Sequence, residues 1–307
     1  MFGFGLSFYQ LIFRYFDNSV MGRFIPAEML ERVFRLLPPR DLKAVVLVCR
    51  WWREVGEAAS LWTWVILTVN HDNMASMAEV LGTRRLQGVG KMQVYTHTMP
   101  KELLGAMARH PGLREVDVRV SQFCLVEPGL MVPLVTGLEV LDLAWCHITP
   151  GQAATICQNL AMEKRLRTLN LSWNHLGSVA PELVARLALV EEVNLMQSNL
   201  TPPQLTALFA ALDGGPTKME RLIISFNNIS SVNADLLARA VNKLVAVEMK
   251  KCSISEHQAS CILTQSLAST SLKSLKLWEW EWLIDTQLEA RARKVLETLE
   301  LPDLADE

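Results

Sequence analysis

A short apolar pattern recurs along most of this chain, at a period that restricts it to a stack of similar units. The pattern is L-x-x-L-x-L, usually followed three residues later by a small or polar residue and two after that by an apolar one. Its clearest copy begins at Leu166 and includes Leu169, Leu171, Asn174 and Leu176. Copies recur about every 24 to 29 residues, so each unit is expected to bury its neighbour. Their leading residues are Leu61, Val89, Leu113, Leu138, Leu166, Val190, Met219, Leu244 and Leu272.

Each unit is expected to contain a short parallel strand, a turn and a returning helix. The two leucines of L-x-L point inward, and the small or polar residue is placed to hydrogen-bond backbone in the turn. Pro, Ser or Asn opens several of the helical segments, as is typical of first helical turns. These segments start at Pro150, Ala180, Pro202, Asn233 and Glu256. The pattern predicts an α/β solenoid with a curved parallel sheet inside and helices outside.

The units resemble leucine-rich repeats of the ribonuclease-inhibitor-like class. Cys146 and Cys252 stand where Asn174 stands in the clearest unit, which also resembles the cysteine-containing class, so the subclass stays open. The first two units are degenerate. Val69 and His97 are expected at their turn positions, so their boundaries are the least defined.

A different pattern occupies residues 25–62. Pro26 suits a first helical turn, and the two prolines at 38 and 39 must end the helix that follows. One face of that helix is apolar at the i, i+3, i+4, i+7 spacing, through Leu30, Val33, Phe34 and Leu37. Asp41 is expected to cap a second short helix, and residues 50–58 to form a third. Three helices of roughly 40 residues make a marginal free-standing core, so a partner is expected to bury part of their apolar surface.

Nearly every position of this segment resembles the F-box pattern. Ile25-Pro26 opens it, Glu28 follows, and Leu61-Trp62 closes it. Between them lie a Leu-Pro-x-x-Asp-Leu turn over residues 37–42 and Val-Cys-x-x-Trp over residues 48–52. The resemblance implies that the segment docks on the Skp adaptor of a cullin-RING ubiquitin ligase. It places at the adaptor Ile25, Pro26, Leu30, Val33, Phe34, Leu42, Val48 and Trp52.

The resemblance implies that the chain is a substrate receptor of an SCF-type ubiquitin ligase, which binds but performs no covalent step. Two alternatives stay open: an F-box protein that pairs with the Skp adaptor outside a ligase, and a repeat scaffold whose F-box match is accidental. Catalytic motifs such as G-x-S-x-G and HExxH are absent from the sequence. Cys49 lies in an apolar helical pattern rather than beside a histidine base, which favours a buried thiol.

The concave face of the predicted sheet is the expected substrate surface. Because strand side chains alternate, the residues between and after the inward leucines face it. Candidate contacts are Asp142, Asn170, Asn194, Lys250 and Lys276. The lysines near the C-terminal end, together with those at 251 and 273, would suit an acidic or phosphorylated partner, although a solvated face is the alternative.

Three large aromatic residues stand one step beyond these rows, at equivalent positions of their repeats. Trp145, Trp173 and Phe226 are expected to form an apolar ridge across neighbouring coils, which Gln197 interrupts. Such residues dominate many protein interfaces. Packing beneath the loops that leave the strands is the alternative reading of the same residues.

Composition limits the remaining classes of function. The formal net charge of −2 over 307 residues argues against a nucleic-acid surface. The 6 cysteines are scattered, with no CxxC pair and no histidine at metal-ligand spacing, so no cofactor or metal is expected. Reduced thiols favour a cytoplasmic or nuclear location. The apolar runs are too short to span a bilayer, so a soluble protein without stable membrane insertion is expected.

The sequence divides into four parts. Residues 1–23 form an aromatic-rich extension that is read as a signal sequence, an interfacial anchor or an upstream start with Met21 as the initiator. A basic n-region is absent, and Arg14 interrupts the apolar stretch, which argues against secretion. Residues 24–62 are the F-box, residues 63–283 the repeats, and residues 284–307 a capping helix with an acidic tail.

Overall fold

The fold is a parallel-sheet solenoid preceded by three short helices. The computed structural model describes residues 26–45, 47, 50–63, 65–70, 72–161, 165–278 and 286–301. Within these residues, ten strands form one parallel sheet, in which each strand pairs with the next along the chain. The α/β solenoid expected from the repeat period is therefore confirmed. A coil below means one strand with the segment that leads to the next strand, and it carries the number of its strand.

The strands are short, as expected for stacked coils. They are β1 Ile66–Asn70, β2 Lys91–Tyr95, β3 Glu115–Asp117, β4 Val140–Asp142, β5 Thr168–Asn170, β6 Glu192–Asn194, β7 Arg221–Ile223, β8 Ala246–Lys250, β9 Ser274–Trp278 and β10 Thr298–Glu300.

The helices lie between the strands. They are α1 Ala27–Phe34, α2 Pro39–Val45, α3 Arg50–Gly56, α4 Met74–Val80, α5 Lys101–Arg109, α6 Val132–Gly137, α7 Pro150–Gln158, α8 Pro181–Val184, α9 Pro202–Gly214, α10 Ala234–Val241, α11 Glu256–Ser266 and α12 Thr286–Val295. Short 3₁₀ segments span Ala59–Leu61, Arg84–Gly88, Pro128–Met131 and Ala185–Leu189. The proline-, serine- and asparagine-marked starts predicted for α7 to α11 agree with these bounds within a residue. Asp41 lies inside the first turn of α2 rather than capping it.

The core runs along the inner side of the sheet. Leu141, Leu169, Val193 and Leu222 occupy aligned positions of consecutive strands, and all four are buried. The first unit departs from the expected register. Val69, expected at the turn, is a fully buried inward strand residue aligned with its counterpart in β2. The first repeat therefore begins three residues later than the sequence pattern indicated, because apolar residues occur at both candidate registers.

A ladder of buried side chains holds the turn after each strand. The amide of Asn174 donates from Nδ2 to the carbonyl of Leu143 at 2.8 Å, and its Oδ1 accepts the N–H of Ile148 at 2.9 Å. Asn227 repeats this arrangement two coils later. Smaller donors occupy the same position in other coils, namely Cys146, Ser198 and Cys252. This position therefore satisfies buried backbone groups of the neighbouring coil.

Alternate coils also carry a buried glutamine at the start of the helix. Gln152 forms a capping box with Thr149, and its Nε2 donates to the carbonyls of Phe123 and Val126 at 2.7 and 2.6 Å. The same arrangement recurs at Gln204 and Gln258. The helices between them begin after Ala180 and Asn233 instead. The structural unit is thus a pair of coils, in which glutamine ties one coil to the previous one.

The three N-terminal helices share their core with the start of the solenoid. Trp62 is buried and donates from its indole Nε1 to the carbonyl of Gly56 in α3 at 2.9 Å. It belongs to the same cluster of buried residues as Phe34 of α1 and as Leu86 and Val89 of the first coil. The helical module and the repeats are therefore packed together rather than joined by a free linker.

The C-terminal end differs from the expected capping helix. Helix α12 ends at Val295, and Thr298–Glu300 then forms a tenth strand that pairs with β9. This strand has only three residues and one inward leucine, Leu299, but pairing with β9 fixes its register. The segment after residue 284 therefore extends the sheet by one coil.

Candidate interaction surfaces

Four of the eight residues predicted to contact an adaptor form the core of the three-helix module. Leu30, Phe34, Leu42 and Trp52 are buried within this chain. The rings of Phe34 and Trp52 meet edge to face, with centroids 5.2 Å apart. Because these side chains pack on one another, they shape the surface of the module without lying on it. Of the other predicted contacts, Ile25 and Val48 lie outside the described residues.

The outer surface of the same module carries other apolar side chains. Leu36 and Leu47 are 84% and 76% exposed, and Met29 and Val33 are also exposed, as is Pro26. Of these, sequence reasoning selected only Val33 and Pro26. The signal for the others was present, because residues 29, 33 and 36 follow the i, i+4, i+7 spacing of a second apolar stripe. One stripe closes the core, and the second faces outward.

The concave face of the sheet shows the rows of residues expected from strand alternation. Asp142, Asn170 and Asn194 are aligned on consecutive strands, next to Asp117 on β3. Each accepts the backbone N–H two residues ahead at 2.9 to 3.2 Å, and Asn170 also donates to Asp142 Oδ2 at 3.1 Å. These side chains therefore hold the strand ends while showing only part of their surface. Burial raises the pKa of Asp142, against the hydrogen bonds it accepts.

The lysines on the C-terminal strands are paired with carboxylates of the last coil. Lys250 and Lys276 approach Glu300 of β10 at 3.0 and 2.8 Å, and Lys273 lies 3.1 Å from Glu297. The hydrogen bond to Glu300 raises the pKa of Lys276 and lowers that of the glutamate. The basic group predicted from the sequence is thus partly neutralised by a strand that the sequence pattern did not reveal.

The aromatic side chains form two groups along the edge where the strands end. Trp145 and Trp173 stack with centroids 4.2 Å apart and planes at 16°. Trp145 is 47% exposed and Phe226 is 44% exposed, so neither lies beneath a loop. Lys251 Nζ lies 5.5 Å from the ring centroid of Phe226 and 5.2 Å from that of Trp278. Gln197 stands between the two groups and is also exposed.

Three thiols of the solenoid, those of Cys146, Cys157 and Cys252, are buried, whereas Cys124 is exposed. Burial raises the pKa of Cys146 and of Cys157 to about 12. Cys49 lies outside the described residues. Among the residues that the structure describes, no group of three or more His, Cys, Asp or Glu side chains is arranged to hold a metal ion. Within the same residues, none of the helices has the length and apolar character to cross a membrane.

Comparison with known families matches three segments of the chain. Residues 23–68 match the F-box-like family, and residues 137–153 and 165–187 match two leucine-rich-repeat families. The chain is an F-box-like domain followed by leucine-rich repeats. Both kinds of domain are modules of protein interaction, which supports a protein-interaction role for the chain.

Two known proteins are similar to this chain. The ribonuclease inhibitor of Sus scrofa is 25% identical over 241 residues, which cover 73% of this chain and 49% of that protein. The chain therefore spans about half the length of this relative. The crystal structure of the leucine-rich repeat-containing protein LegL7 from Legionella pneumophila superimposes with a TM-score of 0.50 at 16% identity, covering 80% of this chain and 87% of LegL7. That likeness concerns the fold alone.

Proposed function

We propose that this protein is the substrate receptor of an SCF-type ubiquitin ligase, in which the F-box docks on the Skp adaptor and the repeats bind a protein substrate. The apolar patch of Met29, Val33, Leu36 and Leu47 supports this proposal most directly. Large exposed apolar side chains on a module whose own core is closed are typical of a surface of protein association. The F-box-like match gives that patch an expected partner.

In this role the chain positions its partners and performs no covalent step. The F-box core and the first coil share one cluster of buried residues, which includes Phe34, Trp62 and Val89. A substrate on the repeats would therefore be held at a defined position relative to the adaptor and the rest of the ligase. We place the protein in the cytoplasm or the nucleus, where unpaired thiols such as Cys146 and Cys157 stay reduced.

Adaptor binding is tested with purified full-length chain and the Skp adaptor. Leu36→Glu and Leu47→Glu place a charge on the exposed F-box patch, and each is expected to weaken adaptor binding by about 30-fold, or about 2 kcal/mol. Leu125→Glu is the matched control, because Leu125 is 81% exposed on a loop of the repeats. Circular dichroism and thermal unfolding check that all variants are folded. Unchanged adaptor affinity in both F-box variants would place the docking surface elsewhere.

Co-purification from cells separates the ligase role from its alternatives. Tagged protein is expected to retain both the Skp adaptor and a cullin, and the Leu36→Glu variant is expected to lose both together. Retention of the adaptor without a cullin would instead support a role outside a ligase. Loss of both partners by the unmodified protein would leave only a repeat scaffold.

A further inference from the structure

The residues that follow the strands form one continuous hydrogen-bonded ridge. Each of these residues in coils 3 to 7 donates its backbone N–H to a carbonyl of the next coil at 2.8 to 3.1 Å, and the accepting carbonyl belongs to the residue that precedes the next ridge residue. Lys251 in coil 8 donates in the same way to the carbonyl of Trp278 at 2.6 Å. Adjacent ridge residues are therefore about one strand spacing, roughly 4.8 Å, apart. The ridge consists of Val120, Trp145, Trp173, Gln197, Phe226 and Lys251.

All six ridge residues have a left-handed backbone conformation, with φ between 50° and 63°. This region favours Gly and Asn, and it strains β-branched and aromatic residues by roughly 1 to 3 kcal/mol each. Val120, Trp145, Trp173 and Phe226 nevertheless occupy it. Folding alone would be served better by glycine at these positions. The bulky side chains therefore occupy these positions at a cost to stability, which points to a role other than folding.

The ridge has a chemical direction. Its first three members, Val120, Trp145 and Trp173, are apolar, and Gln197 presents an amide at the middle. Lys251 is the single charged residue of the six. Its ammonium group is held above Phe226 and beside Trp278 by cation–π contacts. A ligand lying along the ridge would thus meet an apolar platform at one end and a positioned cation at the other.

We propose that the ridge binds an extended peptide segment of the substrate, with a large apolar side chain on Trp145 and Trp173 and an acidic side chain at Lys251. The inference rests on the proposed role of the repeats as the substrate-binding half of the receptor. Three strand spacings separate Trp173 from Lys251, or about 14 Å, which an extended chain spans in about four residues. The exposed Gln197 lies between them, where its amide faces the peptide backbone.

The charge of the neighbouring concave face favours a peptide over a nucleic acid. Aromatic platforms also stack bases, but nucleic-acid grooves carry cations along the backbone path. Beside this ridge stand the carboxylates of Asp117, Asp142 and Glu248, while Glu300 is paired with Lys250 and Lys276. Arg119, the cation nearest the apolar end, is paired with Asp117 at 2.7 Å. Phosphates along the ridge would therefore meet repulsion at several coils, whereas a single carboxylate at Lys251 would not.

Peptide selection on the immobilised full-length chain tests the proposal. A random 12-residue phage-displayed library is expected to enrich a large apolar residue with Asp or Glu about four positions away. Trp145→Ala is expected to weaken the binding of a synthetic peptide taken from the enriched pool by about 30-fold. Lys251→Glu is expected to replace the selected acid by Lys or Arg. Val295→Ala and Lys294→Glu, two exposed residues of α12, serve as controls and should leave selection unchanged.

Each contrary result has a distinct meaning. No enriched motif, or enrichment that survives both Trp145→Ala and Lys251→Glu in folded protein, overturns the proposal. Tighter binding of a labelled 12-nucleotide oligothymidine than of any selected peptide would assign the ridge to nucleic acid and also overturn it. Adaptor binding is measured on the same preparations. If the expected peptide motif is enriched but the adaptor does not bind, the ligase role is refuted and the ridge proposal stands. If the adaptor binds but no peptide motif is enriched, the ridge proposal is refuted and the ligase role stands.

Discussion

Replacing Asn174 by alanine is expected to cost about 3 to 4 kcal/mol of unfolding free energy. The N–H of Ile148 and the carbonyl of Leu143 each have Asn174 as their one partner among the described hydrogen bonds. Both groups would be left buried without a partner, at roughly 1 to 3 kcal/mol each. The other carbonyls that Asn174 contacts, those of Leu171 and Ser172, keep second donors. The estimate therefore counts only the two stranded groups.

Cys146→Ala is the matched control, because Cys146 occupies the same ladder position one coil earlier. Its Sγ donates to the carbonyls of Val118 and Ala144, and each of these also accepts a backbone N–H. The control should therefore lose only about 1 kcal/mol. Urea titrations of the full-length protein, followed by circular dichroism, measure both variants. Equal losses, with m-values unchanged, would refute the reasoning that the cost arises from stranded backbone groups.

Three further predictions concern other parts of the molecule. Phe34→Ala, which empties the centre of the F-box core, should lower the free energy of unfolding by about 3 to 5 kcal/mol and speed proteolysis within the F-box. A variant that loses adaptor affinity without losing stability would contradict the buried position of Phe34. Burial lowers the pKa of His110, although a hydrogen bond to the carbonyl of Leu86 acts in the opposite direction. The neutral imidazole should therefore stabilise the fold fully at a pH above its ordinary pKa of 6.5, and this stabilisation should be lost as the pH falls below that value. A His110→Asn variant should lose this dependence between pH 7.5 and 5.5, and an unchanged acid sensitivity would refute the assignment. In native protein at pH 8, iodoacetamide should label the exposed Cys124 but not Cys157, whose pKa of about 12 and burial suppress the thiolate, and mass spectrometry of the labelled peptides decides between them.

Local periodicity determined much of this structure. The repeat of about 24 to 29 residues specified the parallel sheet, the helical returns and the inward leucines, because each unit uses the same short-range pattern and meets a neighbour like itself. Strand alternation also placed Asp142, Asn170 and Lys276 correctly on the concave face. The helices of the F-box were predicted from the positions of the prolines and from apolar residues spaced at 3.6 residues per turn.

Contacts between distant residues decided the rest. Two apolar stripes run along residues 29–37, and only packing against Leu42 and Trp52 determines that Phe34 lies inside while Leu36 stays exposed. Glu300 meets Lys250 across two strands, a pairing that requires the tenth strand to add to the sheet.

The same holds for the ridge. The sequence marked Trp145, Trp173 and Phe226 as equivalent, but their exposure, the stacking of the two indoles and the cation–π position of Lys251 depend on how coils superimpose. The sequence period predicts the strand, turn and helix of each coil. The direction of each surface side chain depends instead on contacts with the adjacent coil, which lies about 24 to 29 residues away in the chain.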